Sequence, residues 1–422
     1  MRRILCGHSS QRHHLKLAFA LMALFFSVPA NAGSCGLGAE PPDDAPRTVD
    51  AFRERHQERF HIVNAREMID GNGSRIPGAQ ATDWTLDFHG NNGALPEEPD
   101  NSLIVIFVHG YCTSLGDGMR DAEGLRANLM QAEPLNAPSS FSFYAFLWKG
   151  DFGEAEFGTA QAAADATAPS LASLIQQLAE RGHKIVLIAH SLGGRVVLES
   201  LLNLPPRDRP WIDSLVLVQA AVPATDVARW TMTNILSETE PVVRCSGRYA
   251  DAIRDSRQIV YSFSARDMTL YNWFSGYEFR WPTHQKCDLP SFDDLRRTVF
   301  SQGNFFSMGG VVRATALGSP FESTAEELLP PLRPTVRLEI KPLDPFGRIA
   351  RSTLTDSLTT IPETLYRYEF SCDHPDCESV NLDTLPGDFA SITDWHSPIF
   401  VRGGAPIVWA LWRRVSGPLR RP

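Results

Sequence analysis

Lys184-Ile185-Val186-Leu187-Ile188-Ala189-His190-Ser191-Leu192-Gly193-Gly194 is the stretch on which the reading of this chain turns. Ile185 to Ile188 is a continuous apolar run, the mark of a strand buried on both faces of a parallel sheet. Beyond it, Gly194, Val197, Leu198 and Leu201 recur at i, i+3, i+4 and i+7, so a helix with one apolar stripe begins at Gly193. A buried strand that passes through a serine straight into a helix is the context of a nucleophile elbow. The serine of such an elbow sits on a strained turn, and the residues two before and two after it must be small. Gly193 meets the second requirement, and Ala189 stands at the first, where glycine is usual.

Working outward, the same signal repeats. Leu103 to Val108 is a β-branched-rich run, and Phe141–Leu147, Leu215–Val218 and Ile259–Phe263 are further strand candidates. Trp84 to Phe88 alternates apolar and polar residues, as a half-buried early strand does. Between these runs, Met119–Gln131 and the Ala-rich stretch Ala160–Arg181 read as helices, the latter closed by Gly182. Strands alternating with helices predict βαβ units and a mostly parallel central sheet flanked by helices, with the active site at the carboxyl ends of the strands. Past Asp267 the periodicity fades. Residues from about 273 to 392 read as a long insertion or cap, and Pro406–Val415 reads as a last helix.

A serine hydroxyl is a weak nucleophile until a base takes its proton and an acid orients that base. In a strand–elbow–helix fold of this kind the chain order is serine, acid, histidine. Asp267 directly follows the strand ending at Ser264, which sets it at a carboxyl end; Asp251, Asp255, Asp293 and Asp294 follow no such strand. Three histidines lie beyond the elbow: His284, His374 and His396. His396 precedes an apolar run that can form the last helix, whereas His374 lies between Cys372 and Cys377 on a short loop. Ser191, Asp267 and His396 are therefore the candidate nucleophile, acid and base. His109-Gly110-Tyr111 closes the strand Leu103–Val108, so the backbone N–H groups of Tyr111 and Leu192 are the candidate oxyanion hole. His109 and His190 read as packing or positioning residues.

With Phe107-Val108-His109-Gly110-Tyr111 and Ala189-His190-Ser191-Leu192-Gly193-Gly194 on the page, the chain resembles serine-nucleophile α/β-hydrolases. It is similar in particular to a bacterial family of α/β-hydrolase-like proteins, most of them without an assigned function. The likeness spans Asn101 to about Leu270 and resumes near His396; Val216 to Val227 is also similar to that family. It implies an α/β-hydrolase fold with the same three residues as the triad, and it implies little about substrate. The stretch from about 273 to 393 is longer than the family pattern.

The N-terminus carries Arg2, Arg3, Arg12 and Lys16, then the apolar run Leu17–Val28, Pro29 and the small-x-small Ala30-Asn31-Ala32. That is the pattern of a secretory signal, and the run is shorter than the ~20 residues of a membrane span. The expected organisation is a signal peptide over 1–32, a flexible lead-in over 33–50 and one hydrolase domain over 51–422. An uncleaved anchor, or a lipid on Cys35, are the competing readings. Export, to the periplasm or beyond, makes the remaining cysteines, Cys35, Cys112, Cys245, Cys287, Cys372 and Cys377, candidates for up to three disulfides. Cys372–Cys377 and Cys245–Cys287 are the favoured pairs, although spacing does not derive them. A metal reading of Cys372-Asp373-His374-Pro375-Asp376-Cys377 yields to the disulfide reading.

The formal net charge of −9 gives no footprint for nucleic acid. No cofactor or metal is expected, nor a firm membrane association: the tail helix with Trp409 and Trp412 reads as packed on the sheet. The substrate expected is a small-molecule or lipid ester, cleaved in the manner of an esterase or lipase through an acyl-enzyme. Phe152, Phe157, Trp230, Trp273 and Phe274 could line an acyl pocket or the core. Thioesterase, amidase, lipase and acyltransferase chemistry stay open, as does a non-catalytic envelope-binding protein that keeps the fold.

Overall fold

The computed structural model describes residues 59–87, 95–132, 141–153, 156–222, 224–234, 241–264, 267, 269–270, 286–287, 350–352, 366–372, 374, 376–385 and 396–419. The signal segment 1–32, the lead-in 33–50, His284, Trp273 and Phe274 lie outside them, as does most of the stretch 273–392.

Eight strands form the main sheet: β1 (Phe60–Asn64), β2 (Thr85–Leu86), β3 (Leu103–Val108), β4 (Phe141–Leu147), β5 (Lys184–His190), β6 (Ser214–Val218), β9 (Ile259–Phe263) and β13 (Cys377–Asn381). Their order is β13-β9-β6-β5-β3-β4-β1-β2. Every neighbouring pair is parallel except β1 and β2. The early strand expected from Trp84 to Phe88 is shorter, Thr85–Leu86, and pairs with β1 at the sheet edge.

Because side chains alternate across a strand, each central strand feeds two cores. On one face Ile104, Ile106, Val108, Leu187, Ala189 and Leu217 pack with apolar residues of α2 (Phe157–Glu180) and α3 (Gly193–Leu202). On the other, Val105, Phe107, Val186, Ile188, Val216 and Val260 pack with α1 (Leu115–Ala132) and α5 (Ala405–Leu419). Phe152 and Phe157 belong to the first core, and Trp412 to the second. Burial on both faces is why these strands read as unbroken apolar runs.

The chain runs from β3 to β4 in one direction and returns to lay β5 on the other side of β3. Strand order thus reverses between β3 and β5, and the crevice at their carboxyl ends is where open α/β sheets hold ligands.

After a short helix α4 (Ala224–Val227), strands β7 (Ala228–Asn234), β8 (Pro241–Ser246), β10 (Lys286–Cys287), β11 (Ala350–Ser352) and β12 (Tyr366–Cys372) enter a second, five-stranded sheet, ordered β10-β8-β7-β12-β11. All its pairs are antiparallel. In it Cys287 is the register partner of Cys245. Cys112 and Cys377 are each disulfide-bonded. Among the described residues no helix is long and apolar enough to cross a membrane.

Candidate active site

The elbow closes β5. Ser191 has φ 51°, in the left-handed region that side chains other than glycine rarely adopt, and it is buried. Its neighbours hold it there: Ser191 N–H donates to Val218 O at the end of β6, and Ser191 O accepts from Ala221 N–H, each at 3.0 Å. Strain at one residue persists only where its surroundings over-determine it, which those bonds do. Gly193 explains the small-residue requirement. A Cβ there would lie 2.4 Å from His109 O and 2.5 Å from Val108 O, against rigid backbone. Ala189, at the other small position, is fully buried and part of the first core.

α3 is anchored away from the serine. Arg195 donates from Nε and Nη2 to the two carboxylate oxygens of Asp165, at 2.6 and 2.8 Å. Arg248 and Tyr249 both hydrogen-bond the buried Glu199 carboxylate.

Asp267 and His396 complete a chain of hydrogen bonds with the serine. His396 Nε2 lies 2.8 Å from Ser191 Oγ, and His396 Nδ1 lies 2.9 Å from Asp267 Oδ2. With Nδ1–H donating to the carboxylate, Nε2 is left as the acceptor for the serine proton, the tautomer a general base requires. The other oxygen, Asp267 Oδ1, accepts from Leu270 N–H at 3.0 Å, so the carboxylate is held from both sides. All three residues are buried.

His396 arrives on the segment 396–400, which packs on α1. Asn128 Nδ2 donates to Ile399 O at 2.8 Å and to Val401 O at 3.1 Å. A Cβ at Gly124 would lie 2.4 Å from Phe400 O, so α1 and this segment touch backbone to backbone. His374, the competing histidine, serves elsewhere: its Nε2–H donates to Ser256 O, and its Nδ1 accepts from Asp376 N–H.

The turn after β3 lies against the serine. A Cβ at Gly110 would come within 2.9 Å of Ser191 Cβ and 3.0 Å of His190 Nδ1. Tyr111, next along, is held by its hydroxyl, which donates to Gly153 O at 2.5 Å, and Cys112 N–H donates to Gly150 O at 2.8 Å. His109 ties this turn to the strand end of β4. Its Nδ1–H donates to Gly110 O, its Nε2 accepts from Trp148 N–H, and Trp148 Nε1–H donates to His109 O. Burial lowers the His109 pKa to about 4, so the ring is neutral as those bonds require.

Arg66 has no counterpart in the sequence reading. Its Nη1 donates to Trp148 O at 3.1 Å and Thr113 O at 3.4 Å, and its Nη2 donates to Asp151 Oδ2 at 2.5 Å. One guanidinium thereby joins the loops after β3 and β4. Nothing local in Asn64-Ala65-Arg66-Glu67 announces such contacts, which reach 47 to 85 positions along the chain. Among the described residues no group of three or more His, Cys, Asp or Glu is placed to hold a metal ion.

Residues 92–267 match the family described as "Alpha/beta hydrolase of unknown function" (DUF900). This chain has the α/β-hydrolase fold. The match covers β3 through the turn bearing Asp267 and supports a hydrolase-like activity for this α/β-hydrolase chain. Among curated proteins no match is found. Among solved structures, the chain is similar to lipase B of Aspergillus fumigatus, at 14% identity and TM-score 0.27, over 52% of this chain and 53% of that one. It is also similar to phospholipase PlaB from Legionella pneumophila in complex with thio-NAD, at 14% identity and TM-score 0.25, over 42% and 41%. A third structure, from a study of the metagenome-derived lipolytic enzymes LipS and LipT, matches at 14% identity and TM-score 0.22, over 42% and 83%. The α/β-hydrolase chain thus spans about half the length, or less, of the first two.

Proposed function

We propose that this chain is an exported serine hydrolase that cleaves a carboxylic ester through an acyl-enzyme. The observation that carries the reading is the unbroken line Ser191 Oγ–His396 Nε2 and His396 Nδ1–Asp267 Oδ2, at 2.8 and 2.9 Å.

In this mechanism Ser191 Oγ attacks the ester carbonyl carbon while His396 Nε2 takes its proton. The carbonyl oxygen becomes an oxyanion facing the Tyr111 and Leu192 N–H groups, and Asp267 stabilises the imidazolium. The tetrahedral adduct collapses, the C–O bond to the alcohol breaks, and His396 returns the proton to the leaving alkoxide. Water then gives its proton to His396 and attacks the acyl-enzyme, and the second collapse frees the acid and regenerates Ser191. Each donor to the oxyanion contributes about 10²- to 10³-fold in rate, the usual effect of deleting one.

Export is read from the first 32 residues, which have the pattern of a secretory signal, and the ester is proposed ahead of an amide or thioester, both of which the elbow leaves open. A panel of p-nitrophenyl esters of graded chain length, with matched anilides and thioesters, tests the bond. Turnover of the esters well above the other two supports the reading, and turnover of amides or thioesters alone overturns it. N-terminal sequencing of the mature protein tests processing after Ala32.

A further inference from the structure

His190, the residue before the nucleophile, touches the base as well. Its Nε2 lies 2.7 Å from the backbone carbonyl oxygen of His396. A carbonyl only accepts, so Nε2 must carry the hydrogen. Its Nδ1 is then bare; it is buried without a hydrogen-bond partner among the described residues, against Gly110. The His190 ring also packs on the His396 ring, with centroids 4.8 Å apart, and edge-on against Phe400 at 4.9 Å.

Resting on the serine-hydrolase reading above, we propose that His190 is a positioning residue that fixes the base relative to the nucleophile through its Nε2–H···O bond to His396. The two groups that must meet, Ser191 Oγ and His396 Nε2, stand 205 positions apart in sequence. Asn128 holds the far end of the base segment, at Ile399 and Val401, but refers it to α1. His190 hydrogen-bonds the backbone of His396 from the elbow itself. The serine and the anchor of its base therefore share one turn, and any displacement of β5 moves both together. Near-attack geometry demands this: a misplacement of about 1 Å can cost on the order of 10²-fold in rate.

The site also needs this anchor uncharged. His396 becomes an imidazolium during acylation, and a positive neighbour packed on its ring would oppose that charge. Burial, with His396 beside it, lowers the His190 pKa well below the ordinary value, which favours the neutral ring.

His190→Gln places an N–H donor where Nε2 stood, and His190→Leu keeps apolar bulk without a donor. The test is the inactivation rate of each folded variant by a fluorophosphonate probe, with kcat and KM on p-nitrophenyl acetate. H190Q is expected within about threefold of wild type, and H190L about 10²-fold slower in inactivation and kcat, with KM nearly unchanged. Equal rates for H190L and wild type overturn the proposal, as does an H190Q as slow as H190L. Should H190L not fold, the ¹⁵N shifts of wild-type His190, assigned by their loss in H190Q, decide the matter. Nε2–H with bare Nδ1 at neutral pH supports the anchor, and the opposite tautomer or a charged ring excludes it. A wild type that is inert to the probe defeats the hydrolase reading itself, and the proposal with it, whatever the tautomer.

Discussion

Gly193 lies so close to His109 that a Cβ on it would sit 2.4 Å from the His109 carbonyl oxygen. Two segments 84 positions apart are pressed together there, one bearing the proposed nucleophile Ser191 and the other the turn proposed to hold the oxyanion. The obstacle is backbone and cannot swing aside. Gly193→Ala is therefore expected to cost about 2–3 kcal/mol of stability, in the range of overpacked cores. At Gly194 the nearest atom is the Ala220 Cβ at 3.1 Å, so Gly194→Ala is expected to cost less. Urea unfolding of both variants compares them; an equal or reversed order contradicts the account.

Arg66 predicts a second asymmetry. Its partner Asp151 is largely buried, and truncating Arg66 leaves that carboxylate without the cation while freeing the carbonyls of Thr113 and Trp148. Breaking a buried pair from one side costs about 3–5 kcal/mol. Arg66→Ala is expected toward that range, and Arg66→Lys should recover only part, because an ammonium cannot span three acceptors as a planar fork does. Chemical denaturation measures this, and a loss below about 1 kcal/mol for the alanine variant would refute the clamp.

Stability should fall with acid in two stages. The His109 pKa is lowered by burial from the ordinary 6.5 to about 4, and His190 is lowered too. Between those limits the unfolded chain binds more protons than the folded one. The contribution is therefore full above about pH 6.5 and is lost as pH falls toward 4, to the extent of about 3 kcal/mol for His109. For Glu98, burial opposes ionisation, but hydrogen bonds from His61, Ser142 and Tyr144 outweigh it and hold the carboxyl at about 2. Its contribution is present above pH 4.5 and disappears as pH falls toward 2. Unfolding free energies measured across this range should decline accordingly, and His109→Asn should flatten the upper stage. An unchanged slope in that variant would contradict it.

Asp267→Asn should leave the fold intact and remove most of the activity. An amide at 267 can offer its N–H toward His396, favouring the tautomer whose Nε2 no longer accepts from Ser191. About 10⁴-fold in kcat is the scale of such a tautomer reversal. Circular dichroism with kcat on a p-nitrophenyl ester checks it; near-wild-type turnover rules out Asp267 as the orienting acid.

How far the sequence carries varies with the kind of contact. β3, β4, β5, β6 and β9 are legible because both their faces are buried, which leaves continuous apolar runs. β1 is buried too, yet His61 and Asn64 break its pattern; His61 is compensated by Asp87 and Glu98, which arrive from distant loops. β13, at the sheet edge, reads Cys-Glu-Ser-Val-Asn, with Val380 as its core residue. The second sheet is antiparallel, and polar residues such as Arg229, Thr231, Arg244, Arg367 and Glu369 interrupt its strands, so none reads as a continuous apolar run. At the candidate site, Ser191 and Asp267 stand at strand ends that local pattern locates. Chain order leaves three histidines; its place before the last apolar run favours His396, and the structure sets it beside both. The Arg66 contacts and the His190 bond to the His396 carbonyl join segments whose meeting only the folded chain specifies.

The central claim is that Ser191 is a nucleophile poised by His396, and active-site labelling tests it most directly. Intact, oxidised wild-type protein treated with a fluorophosphonate should gain the mass of one phosphonyl group, mapped to the peptide containing Ser191, and Ser191→Ala should gain none. A folded wild type that stays unmodified, or a Ser191→Ala variant that labels equally, would contradict the account.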